Sequence, residues 1–115
     1  MVDSITSLDN FQSILSENDV VIVKFTAVWC PPCKMIAPYF KKLAEDDEYP
    51  ATYIEVDVDT QCPTADSCNI QAMPTFQSFI RGGRAAEILE PTPDSLKAFV
   101  ADAITSAQTS PSSSP

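Results

Sequence analysis

The segment Val20–Pro38 constrains the fold most, because an apolar run leads directly into a pair of cysteines and a helical pattern. The run VVIVKF is β-branched and too short for a stable helix, so we expect a strand that is buried on both faces. Cys30 and Cys33 follow at CxxC spacing, and a helix is predicted from about Pro32 to Asp47. The two cysteines are therefore expected at a strand-to-helix turn.

The rest of the chain predicts an α/β domain. Helical patterns cover residues 8–17, 63–69 and 91–104, and strand patterns cover residues 2–5, 51–58, 75–80 and 85–89, with Gly82 and Gly83 at the turn between the last two. Strands that are separated by helices pair in parallel through right-handed crossovers, whereas a hairpin is antiparallel. We therefore expect one mixed sheet of about five strands that is flanked by about four helices.

Length and charge limit the classes of function. A chain of 115 residues with 44% hydrophobic content allows one domain with a core. We expect this domain to span residues 1–106 and the Ser- and Pro-rich residues 107–115 to form a disordered tail. The net charge of -9 argues against nucleic-acid binding, which needs clustered cations. No signal peptide and no apolar run of about 18 to 20 residues is visible, which predicts a cytoplasmic protein that does not bind membranes.

The cysteine pair has several possible uses: a permanent disulfide, half of a zinc site, an inert pair in the core, or a redox-active dithiol. Zinc would need two more ligands, but the chain has no histidine, and Cys62 and Cys68 are too far apart in sequence for a second ligand pair. Permanent disulfides are rare in a reducing compartment. Because the free N–H groups and the dipole of a helix start favour a thiolate, the position of Cys30 favours the dithiol.

Two motifs carry a resemblance to a known family. They are WCPPCK at residues 29–34 and AMPTF at residues 72–76. Together with the predicted strand order, they resemble thioredoxin over roughly residues 1–106. The resemblance implies the thioredoxin fold and a thiol–disulfide oxidoreductase that reduces protein disulfides.

The resemblance also implies roles for individual residues. Cys30 would be the exposed nucleophile and Cys33 the resolving thiol, and the two would form a redox-active disulfide. Pro74 would be a cis-proline that aligns the substrate beside the sulfurs. The residues expected to contact the substrate are Trp29, Pro31, Met73 and Pro74.

Partners and cofactors follow from the same resemblance. Thioredoxin reductase, supplied by NADPH, would return the disulfide to the dithiol, and the clients would be proteins that contain disulfides. No bound cofactor and no metal are expected, and the protein is expected to be a monomer. The alternative function is a thioredoxin-fold binding or adaptor protein with weak redox activity.

Lys24 departs from the family pattern. Thioredoxins typically have a buried aspartate at this position, six residues before the first cysteine, to take the proton of the resolving thiol. One hypothesis is that Lys24 pairs with Glu55 behind Cys33, so that Glu55 accepts the proton, directly or through water, while Lys24 favours the thiolate. The other hypothesis is that Lys24 extends outward into solvent and that the second step is slow.

Three further departures concern the substrate groove and the remaining cysteines. Pro31 replaces the usual glycine of WCGPCK. The segment EILEPTPD lacks the glycine that opens the groove, so Leu89 or Glu90 is expected to narrow it. Cys68 is expected to be a small buried apolar residue and Cys62 a loop residue. The Lys24 and groove departures favour the adaptor alternative.

Overall fold

Five strands and four helices alternate along the chain in the computed structural model, which describes residues 2–68, 70 and 72–109. Their bounds are β1 (Val2–Ser4), α1 (Leu8–Glu17), β2 (Val20–Thr26), α2 (Pro31–Ala44), β3 (Thr52–Asp57), α3 (Cys62–Ser67), β4 (Thr75–Ile80), β5 (Gly83–Leu89) and α4 (Pro93–Thr109). Within these described ranges, no helix is long and apolar enough to cross a lipid bilayer.

The strands form one mixed sheet in the order β1-β3-β2-β4-β5. β1, β3 and β2 are parallel, whereas β4 and β5 are antiparallel to their neighbours. The predicted fold class is therefore confirmed. β2 lies at the centre of the sheet, and all of its residues except Thr26 are buried, as its β-branched run predicted.

One edge of this sheet brings four chain segments together. Thr26, at the end of β2, is in register with Asp57 at the end of β3. Phe25 pairs with Thr75 at the start of β4, and Thr75 pairs with Leu89 at the end of β5. The segments that follow β2, β3 and β5 and the segment that precedes β4 therefore meet at one border of the sheet. We call this border the cysteine edge, because the CxxC turn follows β2.

Two apolar cores cover the two faces of the sheet, because successive strand residues point to opposite sides. The helices α2 and α4 cover one face, and α1 and the end of α3 cover the other. The first core contains Val20, Ile22, Ile36, Phe40, Leu43, Tyr53, Phe76, Leu96, Val100, Ala103 and Ile104. The second contains Ile5, Phe11, Leu15, Val21, Val23, Phe25, Ile54, Val56, Cys68 and Phe79.

Capping explains two of the helix bounds. α1 begins and ends where the sequence predicted, and the Ser7 hydroxyl accepts a hydrogen bond from the Asn10 N–H at 3.0 Å. α2 ends at Ala44, before the predicted end at Asp47. The residues after Ala44 are acidic, and negative charge is unfavourable at the carboxyl end of a helix. The acidic exit therefore lies outside the helix.

The end of α4 differs from the prediction. The helix continues to Thr109, three residues beyond the predicted domain end at 106. Ala107 packs against the first core, and its carbonyl accepts a hydrogen bond from Arg81 Nη2 at 2.8 Å. These contacts keep the first residues of the predicted tail in the helix. Residues 110–115 lie outside the described residues.

The hairpin turn is shifted by one residue from the prediction. Its central residues are Arg81 and Gly82, with φ values of 50° and 87°, and Gly83 already belongs to β5. A two-residue hairpin turn with positive φ at both positions matches the twist of the flanking strands. The Arg81 N–H donates to the Asp19 carbonyl at 2.8 Å, which holds this non-glycine residue in the turn.

Candidate active site

The Cys30–Cys33 disulfide lies at the start of α2. Cys30 is the N-cap residue, and its Cα is 5.3 Å from the Cα of Cys33. The Cys33 N–H donates to Cys30 Sγ at 3.2 Å. Because Pro31 and Pro32 have no N–H, this amide is the first one in the helix that can reach the sulfur. After reduction, the same amide and the positive end of the helix dipole favour a thiolate at Cys30.

Burial of the disulfide differs from the expectation. Cys30 is only 4% exposed and Cys33 only 1%. Both belong to a small buried cluster with Ala27, against which Val58 and Met73 pack. The prediction of an exposed Cys30 is therefore wrong for the disulfide state, because the bond to the buried Cys33 holds the Cys30 sulfur against this cluster.

An exposed aromatic side chain borders the disulfide. Trp29 is 62% exposed, and its Nε1–H donates to Asp59 Oδ2 at 2.7 Å. A hydrogen bond to a carboxylate is stronger than one between neutral groups, so it fixes the indole ring beside the cysteines. Asp59 was not predicted as a site residue, although it ends the motif EVDVD at residues 55–59. Its position just after β3, at the cysteine edge, is what brings it to Trp29.

The segment before β4 forms the opposite side of the site. The Met73–Pro74 peptide bond is cis, as the resemblance implied. Met73 packs against the cluster that contains both cysteines, and Pro74 is buried. Because β4 is the direct neighbour of β2, the cis-proline lies at the cysteine edge beside the CxxC turn.

Lys24 lies in the interior behind the disulfide. It is 2% exposed, and its Nζ donates to the Cys33 carbonyl at 3.1 Å. Lys24 is in register with Glu55 on β3, and Nζ lies 3.9 Å from Glu55 Oε2. The predicted pairing is confirmed, and the alternative of a lysine that extends into solvent is wrong. The Glu55 side chain is 38% exposed, so the pair opens to one side of the domain rather than lying wholly inside it.

Burial changes the titration of Lys24. Removal from water lowers the pKa of its ammonium group, and the Glu55 carboxylate raises it part of the way back. Lys24, Cys33 and Glu55 line one open cleft of about 440 Å³, together with Lys34 and Asp57. A cleft of this size admits water, so a water molecule can bridge the Glu55 carboxylate and the Cys33 thiol.

Replacement of Lys24 by methionine is expected to stabilise the protein by about 1 kcal/mol near neutral pH, since a well-packed apolar side chain avoids the cost of burying a charge. The lowered pKa sets the pH dependence. At a pH below the pKa of Lys24 in the folded protein, the full cost of burying its charge is present. This cost disappears as the pH rises towards the pKa of Lys24 in the unfolded chain, near 10.5. Urea unfolding of the oxidised proteins near pH 7 and near pH 10 should show this advantage of Lys24→Met shrinking at the higher pH. If the stability advantage of Lys24→Met grew with pH, the pKa of Lys24 would not be lowered in the folded protein.

Cys68 does not join the site. Cys68 is a free thiol in the second core, and burial raises its pKa, as expected of a small apolar residue. Cys62 begins α3, so the prediction that it lies in a loop is wrong, and the predicted helix end at Asn69 lies outside the described residues. Among the described residues, no group of three or more potential metal ligands occurs.

Glu90 and Leu89 border the cis-proline. The Glu90 N–H donates to the Pro74 carbonyl at 2.8 Å, and Glu90 has a φ of 44°. Such left-handed backbone costs a residue with a side chain roughly 1–2 kcal/mol. Glu90 is exposed, and Leu89 is 51% exposed. Both side chains therefore lie at the rim of the site, in the segment that lacks the glycine expected from the resemblance.

Comparisons of sequence identify relatives over most of the chain. Residues 3–102 match the family described as Thioredoxin. A thioredoxin H-type of Chlamydomonas reinhardtii is 42% identical over 85 residues, which cover 74% of this chain and 75% of that protein. A thioredoxin of Coprinus comatus is 37% identical over 103 residues, which cover 87% of this chain and 95% of that protein.

Comparisons with solved structures agree with the comparisons of sequence. The structure of Plasmodium falciparum thioredoxin superposes with a TM-score of 0.83 at 36% identity, over 87% of this chain and 97% of that one. The thioredoxin of Malassezia sympodialis gives a TM-score of 0.83 at 35% identity, over 88% of this chain and 91% of that one.

The family match includes both cysteines of the disulfide and the cis-proline. With this disulfide and these relatives, the chain is a thiol–disulfide oxidoreductase of the protein-disulfide reductase type. Nothing in the described residues or in the comparisons favours the adaptor alternative. The chain belongs to the thioredoxin family.

Proposed function

We propose that the protein reduces disulfides of client proteins through two exchange steps, in which Cys30 attacks first and Cys33 then resolves the intermediate. The observation that carries this assignment is the hydrogen bond from the Cys33 N–H to Cys30 Sγ at the start of α2. It favours negative charge on the sulfur of Cys30 and not on that of Cys33.

In the first step, the Cys30 thiolate attacks one sulfur of the client disulfide. A mixed disulfide forms between Cys30 and the client, and the second client sulfur leaves as a thiolate that takes up a proton. Trp29, Pro31, Met73 and Pro74 are the residues proposed to contact the client. Trp29 is exposed directly before Cys30, and Met73 packs against the cluster that contains both cysteines, which supports this assignment.

In the second step, Cys33 loses its proton and attacks Cys30 Sγ. The Cys30–Cys33 disulfide forms, and the remaining client sulfur leaves, so two electrons have passed from the dithiol to the client. We propose that Glu55 accepts the proton through a water in the cleft that it shares with Cys33. Lys24, which is hydrogen-bonded to the Cys33 carbonyl, supplies positive charge that favours the thiolate.

Return of the disulfide to the dithiol needs two electrons from outside the chain. We propose that they come from NADPH through thioredoxin reductase, because members of this family generally work with that enzyme. A dithiol of this kind is regenerated where the surroundings are kept reducing, so we also propose a cytoplasmic location. We propose that the protein acts as a monomer, since the two cysteines, Trp29 and the cis-proline all come from one chain.

The test is reduction of insulin with NADPH and a thioredoxin reductase. We expect NADPH consumption and insulin precipitation that depend on this protein, and no activity from Cys30→Ser. If reduced protein supplied by dithiothreitol also failed to speed insulin reduction, the catalytic assignment would be wrong. If it worked with dithiothreitol but not with the reductase, only the proposed electron donor would be wrong.

A further inference from the structure

The rim of the active site carries an acidic side chain that the two exchange steps do not use. Glu90 follows the last residue of β5, and its backbone N–H bonds the Pro74 carbonyl at 2.8 Å. The residue before Pro74, Met73, packs against the buried cluster that contains Cys30 and Cys33. The Met73–Pro74 segment therefore contacts the backbone of Glu90 at one end and the cysteine cluster at the other.

The order of strands gives the position of Glu90 relative to a second acid. Along the cysteine edge, the sheet order places the end of β3 first, then the CxxC turn after β2, then Pro74 before β4, and last Glu90 after β5. Asp59 follows β3 and binds the indole of Trp29. Neighbouring strands are about 4.8 Å apart, so β3 and β5 are separated by about 14 Å. Two exposed acidic residues, Asp59 and Glu90, therefore follow the strands on either side of the pair β2 and β4, from which the CxxC turn and Pro74 extend.

The positively charged side chains of the neighbouring elements face groups other than Glu90. Lys24 is buried, and Lys34 lines the cleft that also contains Glu55 and Asp57. Arg84, on β5, donates to the Cys68 carbonyl at 3.3 Å. Asp59 already accepts a hydrogen bond from Trp29. On the cis-proline side of the disulfide, the exposed carboxylate of Glu90 can therefore act on an approaching client.

We propose that Glu90 is a specificity-determining residue that favours clients with a lysine or arginine beside the disulfide cysteine. This inference rests on the proposed function, because a client segment must lie along Pro74 for its sulfur to reach Cys30. A cationic side chain in that segment is attracted by Glu90, and an acidic one is repelled. An exposed ion pair of this kind changes the rate of association by about two- to fivefold at low ionic strength.

The experiment compares short peptides that each contain one internal disulfide and differ only in the residue beside one cysteine: lysine, glutamine or glutamate. Reduced protein is mixed with each peptide, and oxidation of the protein is followed through the fluorescence of Trp29, which adjoins the disulfide. We expect the lysine peptide to react about two- to fivefold faster than the glutamine peptide, and the glutamate peptide to react slowest. The differences should fall in high salt, since salt screens exposed charges.

Two variants with the same net charge isolate Glu90. Glu90→Gln should lose most of this preference, and the exposed Asp59 carboxylate at the other side of the site should leave a smaller residual one. Glu17→Gln changes an exposed residue at the end of α1, before the start of β2 and so away from the cysteine edge, and should keep the preference. Equal rates in the unchanged protein, or a preference in Glu90→Gln as large as that in Glu17→Gln, would overturn the proposal. Failure to reduce any of the peptides would instead refute the proposed reductase function, and this inference with it.

Discussion

Cys33→Ser is expected to remain covalently attached to the proteins it attacks, with turnover reduced by about 10³-fold or more, because a step that depends on one nucleophile is lost with it. The first step should survive. The hydrogen bond that favours the Cys30 thiolate comes from the backbone N–H of residue 33, and serine keeps this group. A serine hydroxyl does not attack a disulfide under these conditions, so the mixed disulfide persists.

The trapped clients are measured by capture from a lysate on immobilised Cys33→Ser and release with dithiothreitol, followed by mass spectrometry. Cys30→Ser is the control that should trap nothing, since it lacks the attacking sulfur. Cys68→Ala is the matched control for loss of a buried thiol outside the site, and it should retain turnover. Normal turnover by Cys33→Ser, or adducts that form through Cys68, would contradict the assigned roles.

The order of helices and strands along the chain could be predicted from the sequence, because local patterns and chain connectivity determine it. β2 is a β-branched run with a helix on either side in sequence, and α1 has its apolar spacing and, directly before it, its cap residue Ser7. Parallel pairing of β1, β3 and β2 then follows from the intervening helices. The end of α4 was less predictable, because its last turn depends on a contact between Ala107 and Arg81, which is distant in sequence.

The cysteine pair was also predictable, since CxxC spacing at a strand-to-helix turn is a local signal. The exposure of Cys30 was not, because it depends on Met73 and Val58, which come from other segments and cover the sulfurs. The sequence did not decide whether the Lys24 side chain points into the domain or into solvent, because the groups that bind it also come from other segments. Strand register places Glu55 beside it, and the turn of α2 places the Cys33 carbonyl within reach of Nζ. Asp59 was missed because only the folded sheet brings it to Trp29.

The pair of Lys24 and Glu55 differs from a single buried acid behind the resolving thiol, because the charge and the proposed proton acceptor are on separate residues. A buried carboxylate would have to lose its proton in a poorly solvated place, which raises its pKa. Here the carboxyl group is on the neighbouring strand and 38% exposed, so water can carry protons to and from it. The buried position is occupied by a cation that bonds the Cys33 carbonyl. In the proposed mechanism, this cation favours formation of the Cys33 thiolate.

Glu55→Gln is therefore expected to slow the second step by about 10- to 100-fold near neutral pH, the size of effect typical of losing a positioned base. The pH profile should change as well. Without the carboxylate, the Cys33 proton goes to solvent, so the rate rises about tenfold per pH unit until the thiol ionises, near pH 8.5 for an unperturbed cysteine. The unchanged protein should show a much flatter profile, because in the proposed mechanism Glu55 takes the proton.

The measurement is the rate of disulfide reduction by the reduced protein at saturating substrate, from about pH 6 to about pH 9, so that the second step limits the rate. Glu17→Gln, which makes the same chemical change away from the cysteine edge, should behave like the unchanged protein. Lys24→Met separates the two partners: with Glu55 intact it should keep the flat profile while lowering the rate at every pH, because only the favourable charge is lost. A Glu55→Gln profile that matches the unchanged protein would remove Glu55 from the mechanism and leave solvent as the proton acceptor.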